Sequence, residues 1–586
     1  MTPNPHHRSA AAGLAVLLAL STALTPLAQA AATTPQTGTL AALPAVPALM
    51  DCSLAAFQAL NLNGVADDNG QVSFTAVSLV PASSTNPAAY CSVRGVIGPG
   101  ATSIVMRLPM TGWTQRYVQN GCGGECGNDN LGNPTQSTGC LPVINGELVT
   151  ATTNMGHTSA QGATWIVDNP WAGVDFAYRG VHVTAQVAKA VIGLFYGRGP
   201  AFSYFDGCSD GGREALMSAQ RYPNDFHGIA AGAPANNMVV QNTYHHAHRV
   251  LTNQSTPGTI PLPARDSYLL LQSHLPYVHS KVVAACDALD GVADGILDDP
   301  RQCKFNTNTL VCANNGNETG CLSQAQADVV ARIHDGARTV DGQRLEPAIS
   351  TEWGSELDWT LFVPAAQGRA AQGENFVNSW LYKAFLNQPY KDAGASTPRT
   401  LNDLVWTAQG FLATLKSAPL YAATNPDLRP FANAGGKLIL WHGWADQHIS
   451  PQGTIHYWDT MSKLTKTPER FARFYLFPGM GHCGSGLGPN TFDVLTPLMS
   501  WVETGQAPAG LVANNASTGV SRPVYPYPTV ARYIVTGSTS DAANFAPYTP
   551  AAPSDVSTSS LGNFQYTPFF KQASCTGSGT QIVCAP

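Results

Sequence analysis

The stretch from Ala201 to Tyr222 constrains this chain most tightly. Ala201 to Asp206 reads as a short strand, Gly207-Cys208-Ser209-Asp210-Gly211-Gly212 as a turn, and Arg213 to Tyr222 as the helix that follows. A serine set between glycines where a strand gives way to a helix is the G-x-S-x-G pattern. That pattern lifts a hydroxyl above the end of a sheet. Glycine suits the turn because the backbone is strained and closely packed there. The helix beyond it turns its N-terminal amides toward the place where an oxyanion would develop. The pattern alone recurs by chance in ordinary glycine-rich turns. The strand before it and the helix after it set this one apart, so the expected fold class is α/β and Ser209 is the candidate nucleophile.

A serine nucleophile needs a base and an orienting acid, which in this arrangement follow in the order Ser, Asp, His. Asp446 comes directly after a strand signal at Lys437 to Trp441, where such an acid belongs; a turn or helix-cap aspartate is the competing reading. His482 lies in a glycine-flanked loop after a strand. The chain has 15 histidines, and His442 and His448 beside Asp446 are rivals. Chain order and the neighbouring cysteine favour His482. Ser209 is preceded by Cys208, and His482 is followed by Cys483. A disulfide between those cysteines would hold their Cα atoms about 5.5–6 Å apart. Each candidate is one peptide, about 3.8 Å, away. A serine and an imidazole distant in the chain would then come within reach of one another. The oxyanion would need a second backbone donor, and the loop from Asn120 to Gly127 offers Gly123 or Gly124 alongside the amide of Asp210.

The length of 586 residues points to two domains, or to one domain with a large insertion. Residues 31–235 carry the first part of an α/β core. Residues 236–432 lose the strand–helix alternation and read as an inserted lid domain. Residues 433–586 resume the core and end in a tail pinned by Cys575 and Cys584. A net charge of −6 over this length gives no footprint for nucleic acid or an anionic membrane. At the N-terminus, His6, His7 and Arg8 precede an apolar run from Ala10 to Leu24, then Pro26 and Ala28-Gln29-Ala30. Residues 1–30 therefore read as a secretory signal, too short in its apolar part for the ~20 residues that span a bilayer. A secreted or periplasmic protein follows as the expectation. In such a compartment the 13 cysteines are mostly disulfides, and their odd number leaves at least one unpaired. A zinc site at Cys122 and Cys126 would lack ligands, since only Cys140 is close.

Taken together, Tyr204 to Arg213, Gly228 to Pro234, Trp441 to Asp446, Gly479 to Cys483 and Asp175 to His182 resemble the tannase/feruloyl esterase family. The resemblance implies an α/β-hydrolase core with a large inserted lid domain and a Ser–His–Asp triad. It also implies a disulfide joining Cys208 to Cys483. The implied substrates are small esters of aromatic acids, of feruloyl, galloyl or terephthalate monoester type. It further implies a structural Ca²⁺ in the lid, with carboxylates from Asp287, Asp290 and Asp294 and carbonyls from Val292 and Ile296. Hard oxygen ligands around a glycine bend are what that ion takes. The loop would be closed by Cys286–Cys303, and the other expected pairs are Cys52–Cys91, Cys312–Cys321 and Cys575–Cys584. Cys122, Cys126 and Cys140 depart from the family pattern, with two of them pairing and one left free. Trp380, Phe385 and Trp406 are candidate contacts for an aromatic acyl group, and Arg369 for a substrate carboxylate. Two alternatives use the same residues differently: a serine amidase or peptidase, and an exported binding protein on an inactive hydrolase fold.

Overall fold

The computed structural model describes residues 38–67, 70–254, 267–313, 320–346, 351–385, 387, 398–551, 560–563 and 571–585. The expected signal segment lies outside them. Nine strands form one sheet: β1 (Val72–Val80), β2 (Tyr90–Ile97), β3 (Thr102–Pro109), β4 (Arg116–Asn120), β5 (Val149–Thr152), β6 (Phe202–Cys208), β7 (Gly228–Gly232), β8 (Lys437–Gly443) and β9 (Ala472–Phe477). Their order across the sheet is β1-β2-β3-β5-β4-β6-β7-β8-β9. The pairs β1–β2, β2–β3 and β3–β5 are antiparallel, and every pair from β5–β4 to β8–β9 is parallel. Strands β6, β7 and β8 are buried along nearly their whole length, as parallel strands covered on both faces must be. β2 alternates buried and exposed residues toward the wetter edge.

The Gly-Ile-Ala-Ala-Gly sequence of β7 is poor strand material by propensity. Its neighbours explain the choice. A Cβ at Gly232 would sit 2.0 Å from the Trp441 ring on β8, and one at Gly228 would sit 2.8 Å from Tyr204 on β6. Helices α1 (Gly180–Tyr196) and α2 (Asp210–Arg221) accompany β6, and α2 follows the turn as the sequence pattern predicts.

Between β7 and β8 the described residues form no strand of the sheet. The segment is helical, with α3 (Leu275–Cys286), α4 (Gln324–Asp335) and α5 (Gly373–Ala384) after a helical run at 238–251. This insert has no separate core. One apolar cluster runs from Phe205 and Ala231 on the sheet through Val278, Trp353, Trp359 and Trp380 in the insert. A second lies under the other face, where Tyr204, Trp441, Tyr475 and Phe492 pack together. The chain then adds α6 (Pro451–Thr465) and α7 (Leu495–Thr504).

The tail past α7 carries the remaining described strands. It forms three hairpins: β10 (Leu511–Asn515) with β11 (Val520–Val524), β12 (Val530–Tyr533) with β13 (Phe545–Tyr548), and β14 (Ser574–Ser578) with β15 (Gln581–Ala585). In the last, Cys575 and Cys584 face each other in register and are bonded.

Candidate active site

Ser209 sits at the tip of β6 with φ 67° and ψ −120°, a left-handed conformation that a non-glycine residue adopts only under constraint. Its amide donates to Gly232 O (3.0 Å), and its carbonyl accepts from Arg213 N (3.1 Å) and Ala235 N (3.0 Å). The turn is closed by close approach: a Cβ on Gly212 would meet Gly232 O at 2.2 Å. Beneath it, the buried Arg213 guanidinium pairs with Asp210 (2.5 Å) and donates to Ala177 O (2.7 Å) and Phe176 O (2.9 Å). The Asp175–His182 motif thus helps to anchor the elbow.

Asp446 follows β8 and is fully buried. Its Oδ2 accepts from His482 Nδ1 (2.8 Å) and His442 Nε2 (3.0 Å), and its Oδ1 from the amides of His448 and Ile449 (2.8 Å each). Burial alone would raise this carboxyl. The charge of His482 and the imidazole hydrogen bonds outweigh it and hold the group well below the usual carboxylate range. His442, a rival base in the sequence, is buried behind Asp446. Its Nε2 also faces Ile449 O (3.1 Å), so the proton belongs on that nitrogen, and Nδ1 accepts from Thr454 Oγ1 (2.9 Å). The other rival, His448, packs edge-on against His482 with centroids 4.8 Å apart and meets His246 Nε2 through its Nδ1 at 3.2 Å. The acid and histidine loops are tied by Ala445 N donating to Met480 O (2.9 Å). Gln136 holds the histidine loop from the other side, donating to Cys483 O (3.1 Å).

Cys208 and Cys483 are disulfide-bonded with Cα atoms 6.0 Å apart, which brings the Ser209 and His482 segments together. Among the described residues the Ser209 hydroxyl makes no hydrogen bond.

Cys122 and Cys126 are the pair within the unmatched trio, and Cys140 is free and buried. Their short ring holds the exposed Gly123 and Gly124, with Cys126 N donating to Gly123 O (3.0 Å). Gly121 rests on the first turn of α2, where a Cβ would lie 2.6 Å from Gly211 Cα. Glu214 Oε1 lies 2.7 Å from Cys122 Sγ, and Asp210 Oδ2 lies 3.0 Å from Cys126 Sγ. Burial, then the nearby Asp210 charge, pushes the Glu214 carboxyl well up. The four side chains have metal-ligand spacing, but both sulfurs are spent in the disulfide.

Glu125, in the same loop, is bound by Lys383 and Ser379 of α5 and by Trp165 Nε1 (3.1 Å). Lys383 is fully buried against the Trp165 ring. Sequence reasoning missed both partners. A charged residue in a glycine loop reads as solvated, and nothing local links it to a lysine so far along the chain.

The expected substrate contacts scatter. Trp380 is fully buried among Phe176 and Tyr421, a core position rather than a cavity wall, because a large indole on the inner face of α5 fills the gap to the sheet layer. Phe385 is half-buried under Arg399, with 5.2 Å from guanidinium to ring. Arg369 is exposed on the insert. Trp406 lines a separate cavity.

In the expected calcium loop, Cys286 and Cys303 are bonded, and Asp287 and Asp294 lie near enough to act on the Asp290 charge. Asp287 accepts from Gly295 N (3.0 Å), Asp290 from Val292 N (2.9 Å), and Asp294 from Ile296 N (3.2 Å) and from Arg522. Burial first, then repulsion from Asp294 and Asp287, pushes the Asp290 carboxyl up to about 6. These carboxylates and loop carbonyls are donors of the hard-oxygen type that Ca²⁺ takes, but Asp294 is already paired with Arg522, and the three carboxylates do not come together as one ligand group. Cys52–Cys91 and Cys312–Cys321 are also bonded as expected.

A mostly parallel sheet with a strained serine at the β6–α2 turn defines an α/β-hydrolase. Residues 91–547 match the tannase and feruloyl esterase family. The chain belongs to that family and is a carboxylic ester hydrolase. It is 29% identical to mono(2-hydroxyethyl) terephthalate hydrolase of Piscinibacter sakaiensis, over 78% of this chain and 84% of that protein. It is 31% identical to probable feruloyl esterase B-2 of Aspergillus terreus, over 70% and 76%. The crystal structure of feruloyl esterase B from Aspergillus oryzae superposes with a TM-score of 0.69 at 26% identity, covering 81% of this chain and 97% of that one.

Proposed function

We propose that the chain hydrolyses esters of aromatic acids through an acyl-enzyme on Ser209. His482 Nε2 takes the hydroxyl proton as Ser209 Oγ attacks the ester carbonyl. It then gives that proton to the departing alcohol. Asp446 holds the Nδ1–H tautomer and stabilises the imidazolium without itself taking the proton. The Asp210 amide and that of Gly123 or Gly124 receive the oxyanion. Water, activated by the same imidazole, releases the acid. The observation that carries this reading is the His482–Asp446 bond of 2.8 Å beside the Cys208–Cys483 link. The aromatic acyl group is supported by the feruloyl and terephthalate esters named in the relatives.

The 236–432 insert acts as a lid in this reading, held over the oxyanion loop by Glu125 and Lys383. A Ca²⁺ on Asp287, Asp290, Asp294 and the Val292 and Ile296 carbonyls would stiffen it without entering the reaction. Six disulfides support export to an oxidising compartment. The test is a panel of methyl ferulate, methyl gallate and mono(2-hydroxyethyl) terephthalate, each beside its amide, together with a fluorophosphonate probe. Ester turnover and probe labelling, both abolished in Ser209→Ala, are expected. Labelling that survives Ser209→Ala, or amides cleaved as fast as esters, overturns the reading.

A further inference from the structure

We propose that His442, which lies outside the Ser209, Asp446 and His482 set, is a positioning residue that locks the Asp446 carboxylate and takes up part of its charge. His442 is the last residue but one of β8, and its side chain is fully buried. The histidine loop packs directly on this end of the strand: a Cβ on the next residue, Gly443, would lie 2.2 Å from Met480 O. His442 thus stands where the sheet, the acid loop and the histidine loop meet.

Asp446 Oδ2 accepts two imidazole N–H groups, from His482 Nδ1 at 2.8 Å and from His442 Nε2 at 3.0 Å. Its Oδ1 accepts the amides of His448 and Ile449. A carboxylate offers about four lone-pair sites, so these donors fill it and the group cannot turn without losing one. Two donors on Oδ2 also divide its charge. The pull on His482, and on the imidazolium that His482 becomes, is weaker than a singly bonded oxygen would exert.

The His442 proton is fixed from both sides of the ring. Nε2 faces only acceptors, Asp446 Oδ2 and Ile449 O at 3.1 Å. Nδ1 meets the Thr454 hydroxyl of α6 at 2.9 Å. A lone pair on Nε2 would oppose two oxygens, so that nitrogen carries the hydrogen. The other titratable or charged groups that feel Asp446 are His448 of its own loop, His245 and Arg249 of the 238–251 run, and Asp358 of the insert. All of them stay in place in the variants below. This role for His442 rests on the reading above, in which Asp446 orients His482.

The test follows, against pH, the second-order rate at which a fluorophosphonate labels Ser209 in the full-length protein, with thermal melting beside it. Labelling requires no knowledge of the natural ester and reports the base of the free enzyme. His442→Asn sets its amide near the place of Nδ1, so it keeps the Thr454 contact and falls short of Asp446. His442→Gln sets its amide near the place of Nε2 and keeps the bond to Asp446. In His442→Asn the acid limb should move up by about half a pH unit or more, because Oδ2 then bears on His482 alone. The plateau rate should fall about tenfold as the carboxylate loosens. His442→Gln should recover most of both. Thr454→Val removes only the hydroxyl and should leave the limb where it was. An unmoved limb in His442→Asn, an equal displacement in His442→Gln, or a like displacement in Thr454→Val overturns the proposal. Asp446→Asn, run alongside, separates two failures. Undiminished labelling there removes Asp446 from the reaction and with it the reading on which this role stands. A collapsed rate there with an unmoved limb in His442→Asn sinks the positioning role alone.

Discussion

Lys383 and Glu125 form a buried ion pair that joins α5 of the insert to the loop carrying Gly123 and Gly124. Removing one member of such a pair strands the other charge, at roughly 3–5 kcal/mol for full burial. Glu125 keeps some exposure, so Lys383→Met should fall at the low end of that range. Its kcat should drop with the Tm, because the loop proposed to receive the oxyanion is released. Adding Glu125→Gln should restore most of the Tm, measured by thermal melting beside ester turnover. Burial works against the Glu125 carboxyl, but Lys383 pulls it below its ordinary value. The stabilisation is therefore present above the unfolded carboxyl pKa, near 4.3, and is lost as pH falls through the lower folded value.

Asp446→Asn keeps the shape of the site but lets His482 take the wrong tautomer. A fall in kcat on the order of 10⁴-fold is expected with KM little changed. A loss under tenfold in steady-state kinetics would remove Asp446 from its assigned role.

Imidazoles held neutral by burial set an acid limit, and His157 and His334 are two of them. Burial, then the Lys383 charge, pulls His157 down to about 4, and burial pulls His334 down to about 4. Both stack on indoles, His157 on Trp165 at 4.0 Å and His334 on Trp353 at 3.9 Å. Each folded value lies below the unfolded imidazole value of about 6.5. Their contribution is complete above that pH and is lost on acidification, at about 1.4 kcal/mol per pH unit each, until the folded value is reached. The Tm should decline from about pH 6.5 toward 4. His157→Gln should flatten that decline; an equally steep curve in the variant would exclude this source.

Chelation with EDTA should lower the Tm by several degrees while leaving ester turnover at low temperature within about twofold, consistent with a structural ion. Asp290→Ala should abolish the chelator's effect. An unchanged Tm in the parent protein would dismiss the ion.

The elbow was legible because its constraint is local: glycines, a strand and a helix lie within a single stretch of chain. Asp446 and His482 were legible through order and through the cysteine beside each of Ser209 and His482. Strand β7 carries no strand signal in the sequence, since its glycines and alanines answer to Trp441 and Tyr204, which are distant along the chain. Nothing in the sequence decides which two of Cys122, Cys126 and Cys140 pair, and the Glu125–Lys383 contact has no local signal at all. Trp380 and Trp406 read alike as aromatic residues of a lid. Only packing separates a core indole from one that lines a cavity.

The terminal hairpin reaches further than its position implies. Cys575 exchanges two hydrogen bonds with the Tyr178 hydroxyl, through its amide (2.7 Å) and its carbonyl (3.0 Å), and Gly577 lies flat against Trp171. Phe176 and Ala177, just upstream of Tyr178, supply the carbonyls that seat Arg213 under the elbow. A protease that trimmed this hairpin would touch none of Ser209, Asp446 and His482, yet would slacken the floor on which Ser209 stands. A bulky fusion joined there would press on the same floor.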